Sequence, residues 1–202
     1  MSLRSSAFGW RSVWLTLAAE FGGEVDDHDA GTNGRLMVRI PLGKTNWQLT
    51  YQAWSTSQQD HRASVSLPFK SDRDFTFSVS NRNWLGDTLK VFGMQDIIVG
   101  DKDFDRDYYI QGSDVALVRE LFQSEELKEL IGAQRSMRLE IRKTPASDSS
   151  HEVHMLYFEV HETIESYERL RAIHDLISCA IEELCHLKVA SRTVPQLSQA
   201  HR

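Results

Sequence analysis

The sequence predicts an α+β fold built on an antiparallel sheet, and three patterns predict it. Four successive runs alternate apolar with polar residues and have no helical pattern between them, which is the grammar of strands joined by short connections. An amphipathic helical stripe precedes these runs, and a helix pair, two more alternating runs and a long helical stripe follow them. A sheet with one greasy and one wet face therefore has helices available to cover the greasy one.

Taken in order, Trp10, Val13, Trp14, Leu17, Ala18 and Phe21 recur at i, i+3, i+4, i+7, i+8 and i+11, the stripe of a helix that Gly22-Gly23 stops. Glu24 to Gly34 reads as a polar loop, with Gly31-Thr32-Asn33-Gly34 as turn chemistry rather than a phosphate cradle. Leu36, Val38 and Ile40 then alternate with Met37 and Arg39, and Trp47, Leu49, Tyr51 and Ala53 with Gln48, Thr50 and Gln52. Ala63, Val65, Leu67 and Phe69 alternate with Ser64, Ser66 and Pro68, and Phe75, Phe77 and Val79 with Thr76, Ser78 and Ser80. Pro68 predicts an edge position or a strand end.

Beyond residues 81–93 comes a strand from Asp107 to Gln111, ended by Gly112. Ser113 is placed to cap the next helix, with Asp114 at its positive end and Val115, Val118, Leu121 and Phe122 facing inward. Ser124 caps a second short helix through Leu127, Leu130 and Ile131 to Gly132. Met137, Leu139 and Ile141 mark a strand, Lys143 to Ser150 a loop, and Val153 to Val160 another strand. A long helix begins near Thr163 or Ser166, carries Leu170, Ile173, Ile177, Ala180, Ile181, Leu184 and Leu187 on one face, and frays toward Pro195. The expected domain is single over 1–202, with loose halves at 1–93 and 94–190 and a frayed tail at 191–202.

Composition narrows the function classes. With 202 residues, 41% hydrophobic and 26% charged, the chain is long and apolar enough for a sizeable core. A net charge of −6 argues against an electrostatic grip on nucleic acid. No run approaches the ~20 apolar residues that a membrane span requires. Arg11 and Glu20 interrupt the only N-terminal apolar stretch, so no secretory pattern is present. Cys179 and Cys185 point in diverging directions on one helix, which predicts reduced thiols and a cytoplasmic setting.

Gly100-Asp101, Phe104-Asp105, Tyr108-Tyr109-Ile110 and Gly112-Ser113-Asp114 are followed by Leu121-Phe122, Ser124-Glu125-Glu126-Leu127 and Ile181-Glu182-Glu183-Leu184. This order resembles an uncharacterised bacterial family, a domain of unknown function marked by a Gly-Asp-x-x-Phe-Asp element, a short strand and a Gly-x-Asp helix start. The resemblance runs from Asp96 to about Leu187 and implies no activity. Such proteins often carry membrane segments ahead of the soluble part, which this sequence lacks.

Three constellations bear on chemistry. Asp101, Asp103 and Asp105 copy the first three ligand positions of a calcium loop, but Arg106 stands where the loop needs Gly and Gly112 where it needs Glu. With Asp107 they are expected to be a solvated strand edge or turn caps, with Phe104 anchored in the core. Asp175, Cys179, Glu182 and His186 lie at i, i+4, i+7 and i+11 on the last helix and are all zinc-competent, yet one straight helix brings only adjacent pairs to one ion. Cys179 and His186 stand about two turns, ~10 Å, apart, too far for a nucleophile and base. His151, Glu152, His154, His161 and Glu162 bracket a strand of roughly 20–25 Å and read as exposed loop residues. Asp26, Asp27, His28 and Asp29 complete a metal site only if folding brings them beside another cluster.

Trp54 points by parity away from Trp47, so Trp54 and Trp84 are the candidate partner-binding residues of an exposed patch. The expected function is a non-enzymatic binding or scaffolding module with a protein partner or self-association, and with no cofactor. The alternative is a metal-assisted hydrolase that uses a divalent metal on the Asp101–Asp107 run with histidines from another segment.

Overall fold

The computed structural model describes residues 9–26, 36–43, 45–55, 61–71, 73–84, 96–144 and 153–192. Among them, eight strands form one antiparallel sheet and five helices accompany it. In chain order the elements are α1 (Gly9–Glu20), β1 (Glu24–Asp26), β2 (Leu36–Pro41), β3 (Gln48–Ser55), β4 (His61–Lys70), β5 (Phe77–Asn81), α2 (Lys102–Asp107), β6 (Tyr108–Gly112), α3 (Val115–Leu121), α4 (Glu125–Gly132), β7 (Arg138–Thr144), β8 (Val153–Val160) and α5 (Tyr167–His186). The strands lie in the order β1-β2-β3-β4-β8-β7-β5-β6.

The predicted alternation is what builds the core. Leu36, Val38, Ile40, Leu49, Tyr51, Val65, Leu67, Phe69, Phe77, Val79, Leu139, Leu156 and Phe158 are all buried on one face of the sheet. Burying a side chain of this size contributes about 1.5–3 kcal/mol each, so one continuous apolar face dominates the stability of the fold. The helices cover that face. Trp14 of α1 meets Tyr51 edge to face at 6.3 Å, Phe122 beyond α3 meets Phe77 at 6.2 Å, and Phe104 of α2 stacks on Tyr108 at 4.5 Å. Tyr108 also donates through its hydroxyl to Ile131 O of α4 at 3.3 Å.

Polar bonds fix how α1 and α5 sit. The Trp14 indole donates to Ile164 O at 3.0 Å, and the Tyr51 hydroxyl lies 3.1 Å from His174 Nδ1 inside the core. Phe21 packs on the His174 ring at 4.3 Å. At the rim, Glu20 receives the Tyr167 hydroxyl and sits 3.0 Å from Arg171. Gly22 turns the chain out of α1 with a φ of 65°, a left-handed conformation that glycine adopts without penalty. Gly23 then passes so close to β2 that an added Cβ would lie 2.7 Å from Arg39 O and 2.9 Å from Ile40 Cγ1.

Several expectations need correction. The stretch read as a polar loop from Glu24 opens with β1, a strand too short to show alternation. Pro68 lies inside the central strand β4 rather than in an edge strand. It sits past Ser66, the last β4 residue paired with β3, where only Met155 of β8 flanks it, so its missing N–H costs no ladder bond on the β3 side. The aspartate run is not an extended edge: residues 102–107 form α2. The expected fraying at 191 does not begin there, because α5 closes with Val189 N–H on Leu184 O at 2.8 Å and Ser191 N–H then bonds Lys70 O at 2.9 Å. The turn at 31–34 and residues 193–202 lie outside the described residues.

Two outcomes follow from this packing. Gly23→Ala should lower the unfolding free energy by about 1–3 kcal/mol in urea titration, because backbone rather than a mobile side chain meets the new methyl. Burial pushes the His174 imidazole below its ordinary value, with Asp175 opposing and Arg171 reinforcing the shift. The unfolded chain therefore binds the extra proton first, so stability rises with pH across the window below the ordinary histidine value of ~6.5 and is lost as pH falls through it. Urea midpoints measured from pH 7 down to 5 should decline, and His174→Phe should flatten that slope.

Candidate functional site

The aspartate run serves the fold. Asp101 caps α2, one carboxylate oxygen accepting from Asp103 N–H and Phe104 N–H at 3.2 Å each, while the other meets Lys128 Nζ of α4 at 2.8 Å. The Lys128 ammonium and the two amide donors hold the Asp101 carboxyl below its usual range. Asp105 closes the preceding turn, accepting from Val99 N–H at 2.9 Å and Gly100 N–H at 3.0 Å. Asp103 and Asp107 each pair with Arg106 at 2.8 Å. Successive positions of a helix diverge by about 100°, so residues that would share a strand face point to different partners here.

The α5 stripe does not converge either. Asp175 is exposed, Glu182 lies 3.0 Å from Arg192, and His186 Nδ1 lies 3.6 Å from Glu183. Cys179 is half-buried, and burial, with Glu126 and Glu183 nearby, pushes its thiol up to about 11. At that value it is protonated at neutral pH and a poor nucleophile.

The histidines that bracket β8 also separate. His154 is buried at 2%, beside Phe69, which corrects its reading as an exposed loop residue: it shares the inward parity of Leu156 and Phe158. His161 packs against Trp84 at 4.2 Å, and Glu162 pairs with Arg169 at 2.7 Å. His151, Glu152, Asp27, His28 and Asp29 lie outside the described residues. Among the described residues, no group of three His, Cys, Asp or Glu side chains is placed to hold a metal ion.

What the structure does bring together is the outward face of the sheet. Two rows cross it by register: Met37, Gln52, Ser64, Glu159, Arg138, Ser80 and Tyr109, and beside them Arg39, Thr50, Ser66, Tyr157, Glu140, Ser78 and Gln111. Trp54 and Arg62 flank them at one end, Met155 and Arg142 at the other. The helix contacts described above all reach inward-pointing residues on the opposite face.

At its centre lies a charged lattice. Arg138 reaches Glu140 at 2.5 Å, Arg142 bonds Glu140 from the other side, and Arg142 and Arg62 each lie 3.5 Å from Glu159. The Arg142 guanidinium sits 3.4 Å over the Tyr157 ring. Glu140 and Glu159 side chains are only 9% and 12% exposed, so each carboxylate is largely desolvated and held by cations. Arg39, Arg62, Lys70, Arg138 and Arg142 share this face with four carboxylates, Glu140 and Glu159 at the centre and Glu24 and Asp26 on β1, where Asp26 lies 3.5 Å from Arg39.

Of the two candidate tryptophans, Trp54 is half-buried on this face, whereas Trp84 is 8% exposed and packed on His161, so it does not form an exposed patch. Sequence reasoning passed over Arg62, Arg138, Glu140, Arg142, Tyr157 and Glu159. The signal was present in the outward parity of β7 and β8, where Arg138, Glu140 and Arg142 alternate with Leu139 and Ile141.

No family model matches this chain, and no curated protein matches it. It is similar to the crystal structure of the mycobacterial trehalose monomycolate transport factor A, TtfA, at 9% identity and a TM-score of 0.49, over 93% of this chain and 99% of that one.

The assignments within the aspartate run separate by mutation. Asp105→Ala strands two backbone N–H donors and should cost about 1–3 kcal/mol, whereas exposed Asp103→Ala should stay within about 0.5 kcal/mol, both read from urea unfolding. A calcium site would instead make the two losses alike and raise the melting temperature with added calcium.

Proposed function

We propose that this chain is a non-enzymatic binding module, working in the cytoplasm, that engages a protein partner through the outward face of its sheet. The observation that carries the reading is the make-up of that face. Trp54, Tyr109, Tyr157, Met37 and Met155 are interleaved with Arg39, Arg62 and Arg142, and these are the residue types that protein interfaces enrich.

Preorganisation supports it as well. Glu140 and Tyr157 hold Arg142, and Glu159 holds Arg62, so two forked donors stand in fixed positions before any partner arrives. With five cations to four carboxylates this face is less acidic than the chain as a whole, whose net charge is −6, and its arginine forks suit carboxylates on a partner surface. The carboxylates of the aspartate run are meanwhile engaged by N–H groups and cations, which supports this reading over a metal-assisted hydrolase that would use them as ligands.

Photo-crosslinking in living cells tests this. A benzophenone amino acid at position 54 should give a discrete adduct, and one at position 15, exposed on α1, should not. Arg62→Glu with Arg142→Glu should reduce the adduct roughly tenfold, the loss expected when interface arginines are reversed. The adduct mass tells a different protein from a second copy. Equal adducts from both positions, or indifference to charge reversal, would remove the reading.

A further inference from the structure

A second site lies away from the outward face, at the end of the helical layer. Between the end of α4, the β8–α5 connection and the first turns of α5 is a cleft of about 540 Å³, within the size range of ligand sites. Gln134, Arg135, Glu162, Ser166, Glu168 and Arg169 line it.

Part of its charge is already matched, while Arg135 and Glu165 are exposed on its rim. Arg169 Nη2 lies 2.7 Å from Glu162, and the Ser166 hydroxyl donates to Glu168 at 2.7 Å while accepting the Arg169 N–H at 3.3 Å. The open N-terminal donors of α5 are thus partly closed by its own cap.

Gln134 is different. It is 3% exposed, yet neither its Oε1 nor its Nε2 has a hydrogen-bond partner. A buried carboxamide with both donor and acceptor unused lowers stability unless a partner satisfies it. The complement of that group is a coplanar C=O and N–H pair, and an extended peptide main chain presents such a pair at every residue.

We infer that this cleft binds an extended peptide segment, whose main-chain amide pairs with the Gln134 carboxamide. Gln134 is itself one of the residues that line the cleft, so a side-chain rotation would be enough to present its carboxamide to a bound segment. The inference does not depend on the sheet-face reading.

The test is a titration of ¹⁵N-labelled protein with acetyl-trialanine amide and, separately, with uridine, whose base offers the same donor and acceptor pair. The peptide should shift the Gln134 side-chain amide and the backbone amides of Thr163 and Ala172 saturably. Gln134→Leu should melt no lower than wild type and bind the peptide at least ~10-fold more weakly. Gln134→Glu, which keeps the acceptor and loses the donor, should also bind more weakly and serves if the leucine variant does not fold. Arg62→Glu with Arg142→Glu should bind the peptide as wild type does. Absence of a saturable shift, unchanged peptide affinity in the Gln134 variants, or binding of uridine alone would each overturn the inference.

Discussion

The ladder between β4 and β8 is the joint on which the rest of the structure depends. It pairs Ala63 with Val160 at one end and Lys70 with Val153 at the other, joining segments far apart in the chain. Without it the sheet is two smaller ribbons, β1 to β4 and β8-β7-β5-β6, each with an edge exposed. Register here decides both faces at once. A slip by one residue would turn Phe158 and Leu156 outward and bring Tyr157 and Glu159 into the apolar layer. The core fixes the slip energetically, and the outward lattice inherits its geometry. Arg62 meets Glu159 because Ala63 meets Val160 one position away, and Arg138 comes alongside because β7 pairs with β8 in the same sense.

A largely desolvated ion lattice is weak evidence of stability. Replacing such pairs with apolar side chains is often neutral or favourable, since desolvation offsets the attraction between the charges. The lattice, with aromatic faces between its charges, is therefore not what holds the sheet together. The apolar face beneath already supplies the cohesion. The helix layer is held differently, by isolated polar contacts such as Tyr51 with His174 and Trp14 with Ile164 O, which set where the helices sit on a surface that would accept several positions.

Much of this was legible in local pattern, and its limits have physical causes. The strands carrying Leu36, Leu49, Val65, Phe77, Leu139 and Leu156 announced themselves because half-buried sheet imposes a period of two. The caps at Ser124 and Ser166 are found where capping chemistry places them, and at Asp114 rather than Ser113 for α3. The short helix α2 was not legible, because its Asp-x-Asp-x-Asp spacing mimics strand alternation while its real determinants are contacts: Asp101 with Lys128, and Asp105 with the amides of Val99 and Gly100. Strand order was not legible either, since nothing local to His61–Lys70 names Val153–Val160 as its neighbour. The outward lattice stayed hidden for the same reason. Arg138, Glu140, Tyr157, Glu159 and Arg62 read as ordinary polar-parity strand residues until pairing makes them neighbours.

The placement of β8 would tie the proposed binding to stability. Its inward residues Leu156, Phe158 and Val160 are completely buried, its outward Tyr157 and Glu159 belong to the lattice, and the chain leaving it supplies Glu162 to the cleft below α4. A strand flanked on both sides cannot detach without breaking the ladders to β4 and β7, so its opening approaches global unfolding in cost. A partner that gripped Arg62, Arg142 and Tyr157 would therefore act on the folded state as a whole, and its binding energy would appear as stability by mass action.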